Sequence, residues 1–195
     1  MILLKMKLIK PKFWDKKFSF FSIILIPLSL IFLLIIFFRK KLSIVKSFNI
    51  PIICVGNIYI GGTGKTPTSI LLATEIAKLG RKAAILRKHY LSHEDEYNLI
   101  KKKFNNLIIC KNRINGIREV EKLKYDTVIL DDGLQDYKIK KDLRIVCFNN
   151  NQLVGNGFVL PAGPLRENLN SLKNADIVII NGEKNQIFEE KILNI

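Results

Sequence analysis

The sequence predicts an α/β fold: a mostly parallel sheet with helices on both faces, preceded by an apolar N-terminal helix. Three observations carry that expectation. Short apolar, β-rich runs recur at 52–55, 83–86, 107–110, 127–130, 144–148 and 177–180. Helical or turn-rich segments separate most of them, the alternation expected of βαβ units. Ahead of the first run, no charged residue interrupts positions 18–38.

That N-terminal run is the strongest hydropathy signal in the chain. At ~1.5 Å rise per residue it reaches across roughly the 30 Å of a bilayer's hydrocarbon core. A cleaved secretory signal would have a shorter apolar core and a small-residue cleavage site, whereas this run leads into Arg39-Lys40-Lys41. It reads as a retained anchor. Lysines at 5, 7, 10, 12, 16 and 17 precede it and basic residues follow it, so charge asymmetry does not orient it. Pro27 fits either a kinked spanning helix or a segment that dips into one leaflet and returns. The division is therefore 1–41 as anchor with basic flanks, with 38–49 a basic connector, and 42–195 as a folded domain. Across the 195 residues, 32 Lys+Arg against 17 Asp+Glu give a formal charge of +15. With an anchor beside it, this charge points to an anionic membrane surface and not to nucleic acid.

The first strand opens through glycines into a helix. Ile70, Leu71, Ala73, Ile76, Ala77 and Leu79 recur at helical spacing over 65–79, and Gly80 suits a position just past the end. Strand, glycine-rich turn and helix in this order make a phosphate-binding loop. Gly61, Gly62, Thr63 and Gly64 let backbone N–H groups close on phosphate oxygens. Lys65 reaches the β/γ-phosphates of a nucleotide, Thr66 takes Mg²⁺, and Pro67 is tolerated in the first turn. The loop pattern asks for glycine at position 59, where this chain has Tyr59.

A second helix is expected over 114–124, with Asn112 as its N-cap. The run at 127–130 ends in Asp131-Asp132-Gly133. Ligands of doubly wound sheets sit at the carboxyl ends of the strands, so this acidic pair faces the same crevice as the phosphate loop and can serve Mg²⁺. Cys54, Cys110 and Cys147 each lie in an apolar run and read as reduced core thiols. His89 and His93 have no further histidine or paired cysteine to complete a zinc site.

The segments VGNIYIGGTGKTP, LDDGLQD, GNGFVLPAGPLRENL and ADIVIING, in that order after an apolar N-terminal segment, resemble the tetraacyldisaccharide 4′-kinase family. The resemblance covers nearly the whole chain. It implies transfer of the γ-phosphate of ATP, with Mg²⁺, to the 4′-hydroxyl of an acylated disaccharide 1-phosphate, giving lipid IVA at the cytoplasmic face of the inner membrane. By position it implies that Lys65 and Thr66 hold triphosphate and metal, and that Asp131 and Asp132 serve the metal and nucleotide end. It further implies that Asp95, in Glu94-Asp95-Glu96, is the base for the sugar hydroxyl, and that Arg113, Arg166 and Glu167 contact substrate or phosphate.

Departures stand beside the likeness. Arg87-Lys88-His89-Tyr90 replaces the family's usual Ser-Arg-Gly-Tyr, in a region expected to shape the substrate side. Glu94 replaces a glycine and Asp136 a histidine. Family members continue into a second lobe supplying a histidine partner for the base, so a chain ending at Ile195 is expected to bind Mg·ATP weakly and transfer little phosphate. Two other readings compete: a membrane-anchored P-loop ATPase switch, and a non-catalytic protein that keeps the fold. The GNG and LPAGPLRE segments have no role in a switch and favour the kinase. No Asn-Lys-x-Asp segment follows the loop to read guanine.

Overall fold

The computed structural model describes residues 10–90 and 94–195, so Lys5, Lys7 and His93 lie outside the described residues. Six strands form one sheet in the order β3-β2-β4-β1-β5-β6, every neighbouring pair parallel. They are β1 (Ile52–Gly56), β2 (Ala83–Lys88), β3 (Leu107–Cys110), β4 (Thr127–Asp131), β5 (Leu143–Asn149) and β6 (Ile177–Asn181). The helices are α1 (Phe20–Lys41), α2 (Lys65–Lys78), α3 (Glu94–Lys103), α4 (Arg113–Lys122) and α5 (Gln186–Leu193). Each apolar run read from the sequence is a strand, and both expected helices form. Asn112 caps α4 by accepting from the Ile114 N–H at 2.9 Å. Gly80 follows α2 at φ +75°. Neither α3, whose composition is mostly polar, nor α5 was legible as a helix.

Period-two alternation divides the core. Ile52, Cys54, Ala84, Leu86, Val128 and Leu130 face α4, which contributes Ile117 and Val120. Val55, Ala83, Ile85, Ile129, Ile145 and Cys147 face the other way, against Ile70 and Ala73 of α2 and Ile100 of α3. The insertion of β4 between β1 and β2 has a functional consequence. It brings the carboxyl end of β4 next to the loop leaving β1, and the β2–β4 register sets Arg87 opposite Asp131. All three cysteines are free, and burial raises the Cys54 thiol pKa to about 12.

Helix α1 is the one described helix long and apolar enough to cross a membrane. It extends to Lys41, past the end of the apolar run, because basic residues are good helix formers and favour the negative end of the helix dipole. It does not stand apart from the domain. Ser22, Ser29 and Ile36, seven residues apart and so on one stripe, are buried. Ser29 Oγ donates to the Val159 carbonyl at 2.8 Å and accepts from the Ala162 N–H at 3.1 Å. The Asn156 amide donates to Ser22 Oγ at 3.1 Å, and Phe32 and Leu33 pack on the β5–α5 side of the core. The rest of its circumference is exposed and apolar, including Phe21, Ile24, Leu28, Ile31, Leu34 and Phe38.

Ser29→Ala leaves the buried Ala162 N–H without a partner and the Val159 carbonyl with the Gly163 N–H alone, so it is expected to destabilise the protein by about 1–3 kcal/mol. Chemical denaturation in detergent measures this. An unchanged midpoint would show that α1 is not held by these bonds.

Candidate functional site

The phosphate loop is shaped by its neighbours. Gly64 sits at φ +85°, and a Cβ there would come within 2.4 Å of the Asn181 amide, so the position needs glycine twice over. Asn181, at the end of β6, donates to the Thr63 carbonyl at 2.8 Å. Gly61 and Gly62 are exposed, whereas the Thr63 hydroxyl is buried and makes no hydrogen bond. Tyr59, where the pattern asks for glycine, is fully buried and points into the core with Val159 and Leu165. Its backbone bridges to Leu165, and Ile60 N–H donates to the Pro164 carbonyl at 2.9 Å. The bulk at position 59 is thus buried, with the ring edge 3.6 Å from where a Cβ on Gly61 would lie.

Lys65 and Thr66 begin α2, and the two acids of β4 meet them. Asp131 is completely buried. Thr66 Oγ1 lies 3.1 Å from Asp131 Oδ2, and Ser69 Oγ, one turn on, lies 3.2 Å from Oδ1. The Arg87 guanidinium, also buried, contacts Asp131 Oδ2 directly and donates to Thr66 Oγ1 at 3.0 Å. On its outer side Arg87 pairs with Glu96 and lies 5.7 Å from the centre of the Tyr97 ring.

Asp132, at φ +57°, faces the open side. Lys65 Nζ is 3.7 Å from Asp132 Oδ1, and Arg166 donates to the same oxygen at 3.0 Å. Arg113 is buried and holds the end of β4 from behind, donating to the Asp132 carbonyl at 2.7 Å, with Asp136 3.7 Å away. Burial alone would raise the Asp132 carboxyl, yet Lys65, Arg166 and Arg113 together hold it below its ordinary value. Burial lowers the Lys65 pKa, with Asp132 opposing and Arg166 reinforcing the shift. The pair is lopsided: three cations surround Asp132, while Lys65 has like charges behind its partner.

Glu167 is buried and works as a hub. Its carboxylate accepts from Tyr137 Oη at 3.1 Å, Gln135 Nε2 at 3.3 Å and Lys40 Nζ at 2.5 Å. Lys40 belongs to the last turn of α1, so one carboxylate ties the apolar helix to the site. A cleft of about 930 Å³ opens beside it. One wall is the C-terminal half of α1, through Phe32, Ile35 and Phe38. The other carries Arg113, Asp132 and Arg166.

Lys65, Thr66, Asp131, Asp132, Arg166, Arg113 and Glu167 thus gather at one end of the sheet. Asp95 is exposed on the first turn of α3 and does not line the cleft, whereas its neighbour Glu96 turns inward to Arg87. The segment expected to shape the substrate side is split. Lys88 and Tyr90 line the cleft, but Arg87 faces the phosphate loop. Sequence reading missed Arg87, Ser69 and Lys40. The signals were present: Arg87 continues the Ala83, Ile85 alternation toward α2, and Ser69 lies one turn beyond Thr66.

Among the described residues, no group of three or more His, Cys, Asp or Glu could cage a metal unaided. A hydroxyl beside a buried carboxylate, with a cation already drawn to both, still fits a hard divalent ion that takes its remaining ligands from phosphate and water.

The family model for Tetraacyldisaccharide-1-P 4′-kinase matches residues 21–97 and 92–194. The chain belongs to that family. Named tetraacyldisaccharide 4′-kinases resemble it along most of its length. That of Pelagibacter ubique is 46% identical over 190 residues, covering 95% of this chain and 59% of the relative. That of Haemophilus influenzae is 39% identical, covering 84% and 56%. The chain therefore spans less than two thirds of these relatives. A crystal structure of the Aquifex aeolicus protein of this family, described as in complex with ATP, superimposes with a TM-score of 0.70. It is 29% identical and covers 82% of this chain and 58% of that one.

Because the folded Lys65 value is depressed, the neutral amine is favoured on folding, and stability gains as pH rises from that value toward 10.5. At neutral pH the buried charge carries its full cost. Lys65→Met is therefore expected to keep or raise the urea midpoint at pH 7, to lose the alkaline gain and to abolish nucleotide binding. A lower midpoint at pH 7 would mean that the Lys65–Asp132 pair is a net stabiliser.

Proposed function

We propose that this protein transfers the γ-phosphate of ATP to a hydroxyl of an acylated disaccharide phosphate, the 4′-hydroxyl named for its relatives, as a step in making lipid A. The observation that supports this most is the cleft. It starts at Asp132 and Arg166, next to Lys65, and runs out along the exposed apolar side of α1. A sugar phosphate fits the first part and acyl chains the second. A freely soluble acceptor would leave the α1 wall without purpose.

In this reading, backbone N–H groups of Gly61–Thr66 and the start of α2 bind the β- and γ-phosphates, with the buried Thr63 hydroxyl as a further donor. Lys65 neutralises charge that develops as the phosphoryl group moves. Mg²⁺, when bound, would rest on Thr66 with Asp131 behind it and Asp132 toward the phosphates, supplying charge neutralisation and in-line alignment. Arg166 orients an anionic group in the cleft, and Arg113 fixes the Asp131–Asp132 turn through its main-chain bonds. Asp95 is the base that takes the acceptor proton. The Arg87–Glu96 pair anchors the first turn of α3, which carries Asp95 on its exposed side outside the cleft, so the assignment of Asp95 rests on its place in the motif.

The way α1 is held supports a membrane disposition. Were α1 to cross the bilayer, the irregular segment bonded to Ser29, around residues 156–162, would lie at the same depth with its backbone groups against lipid. We therefore place α1 in one leaflet, its Ser22–Ser29–Ile36 stripe against the domain and its other sides in lipid, at the cytoplasmic face of the inner membrane. Arg39, Lys40 and Lys41 meet anionic head groups.

Two measurements check this. In a radiolabelled transfer assay of an active, full-length version with the lipid disaccharide phosphate in detergent, Lys65→Ala is expected to abolish transfer. Asp95→Asn is expected to lower turnover by about 10²-fold or more while ATP affinity holds. Transfer indifferent to Lys65→Ala would overturn the assignment, and an Asp95→Asn defect confined to ATP affinity would move that residue to the nucleotide end. In vesicle flotation, Leu28→Glu with Ile31→Glu is expected to release the protein while its thermal midpoint in detergent is kept. Retained flotation would show that this side of α1 does not enter lipid.

A further inference from the structure

We propose that Arg87 is a built-in counter-cation of the metal position, so that a divalent ion binds by displacing its guanidinium from Asp131 and Thr66. This rests on reading Thr66 and Asp131 as the metal end of the nucleotide site. Asp131 is fully buried at the end of β4, and a buried carboxylate without a nearby cation is costly. Its neighbours from α2 are hydroxyls, Thr66 and Ser69, which satisfy hydrogen bonds but carry no charge. The β2–β4 register delivers the charge, because Arg87 is the cross-strand partner of Asp131.

The contacts define a competition. One nitrogen of Arg87, Nη1, touches both Asp131 Oδ2 and Thr66 Oγ1, the same two oxygens that stand 3.1 Å apart at the start of α2. An ion coordinated by Thr66 and backed by Asp131 needs the lone pairs that Nη1 now uses. Two positive charges at that spot would also repel.

The guanidinium has somewhere to go. Its other terminal nitrogen, Nη2, already pairs with half-exposed Glu96, and the Tyr97 ring lies 5.7 Å away. Retreat of Nη1 toward Glu96 keeps Arg87 paired while Asp131 exchanges one cation for another. Charge at the buried carboxylate is balanced before and after. The consequence is an apparent metal affinity reduced by the fraction of time Arg87 occupies the position. Glu96 acts as a positioning residue that pulls Arg87 outward.

The test titrates Mg²⁺ into the full chain with a fluorescent ATP analogue at fixed concentration. Arg87→Gln, which keeps hydrogen-bonding capacity without charge, is expected to lower the half-saturating Mg²⁺ concentration by on the order of tenfold. Glu96→Gln is expected to raise it severalfold, because Arg87 loses its outer partner. Thermal midpoints add an independent readout: Arg87→Gln should cost more stability without Mg²⁺ and nucleotide than with them. Mg²⁺ curves that neither variant moves would overturn the proposal. So would Arg87→Gln weakening nucleotide binding at saturating Mg²⁺ with an unmoved midpoint, since Arg87 would then be a phosphate ligand. Should Arg87→Gln not fold, Glu96→Gln alone decides, its side chain being half exposed. Nucleotide binding by the parent chain that ignores Mg²⁺ would reject the Thr66–Asp131 reading itself, and this proposal with it.

Discussion

A buried carboxylate at the end of β4 is the constraint on which the rest of the site depends. Asp131 has no access to solvent, so every one of its bonds must come from the protein, and those bonds draw three elements together. Thr66 and Ser69 fix the rotation of α2, Arg87 fixes the end of β2, and through Glu96 the start of α3 is fixed as well. The sheet order makes this possible. With β4 between β1 and β2, the acid emerges between the strand that feeds the phosphate loop and the strand that brings the arginine. The adjacent Asp132 is held the opposite way, backbone in the left-handed region and carboxylate toward the cleft. Two consecutive acids therefore face two compartments, one dry and one open.

The same logic extends to the apolar helix. The 159–167 segment does three jobs within nine positions. It receives Ser29 through Val159 and Ala162, it pairs with the loop entry through Pro164 and Leu165, and it delivers Arg166 to the cleft with Glu167 beside it. Glu167 closes the circuit by holding Lys40. The apolar helix and the site geometry are thus mechanically joined.

Much of this was legible in the residues, for physical reasons. Central strands buried on both faces read as continuous apolar runs, and the half-buried edge strands β3 and β6 share that apolar composition, so all six were legible. Asn112 was legible as a cap because its short side chain suits that position. Helix α3 was not, because Glu94-Asp95-Glu96 and Lys101-Lys102-Lys103 leave only Tyr97 and Ile100 to mark a buried stripe. The docking of α1 was hidden by composition: two serines in an apolar run look incidental until their partners, more than a hundred residues away, are known. Arg87 was hidden by assigning its neighbourhood to the substrate, whereas strand alternation turns it toward α2 and Lys88 away from it. Tyr59 looked like a fault in the loop pattern, yet its ring is accommodated in the core.

In the proposed function the loop at 61–66 and the buried Asp131 form one nucleotide and metal site. A crystal structure of the protein with Mg²⁺ and a non-hydrolysable ATP analogue tests it most directly. The triphosphate is expected along the Gly61–Lys65 amides, with the metal held by Thr66 Oγ1 and Asp131 bonded to the metal or to its waters. Phosphates bound elsewhere, or a metal touching neither Thr66 nor the Asp131 environment, would contradict it.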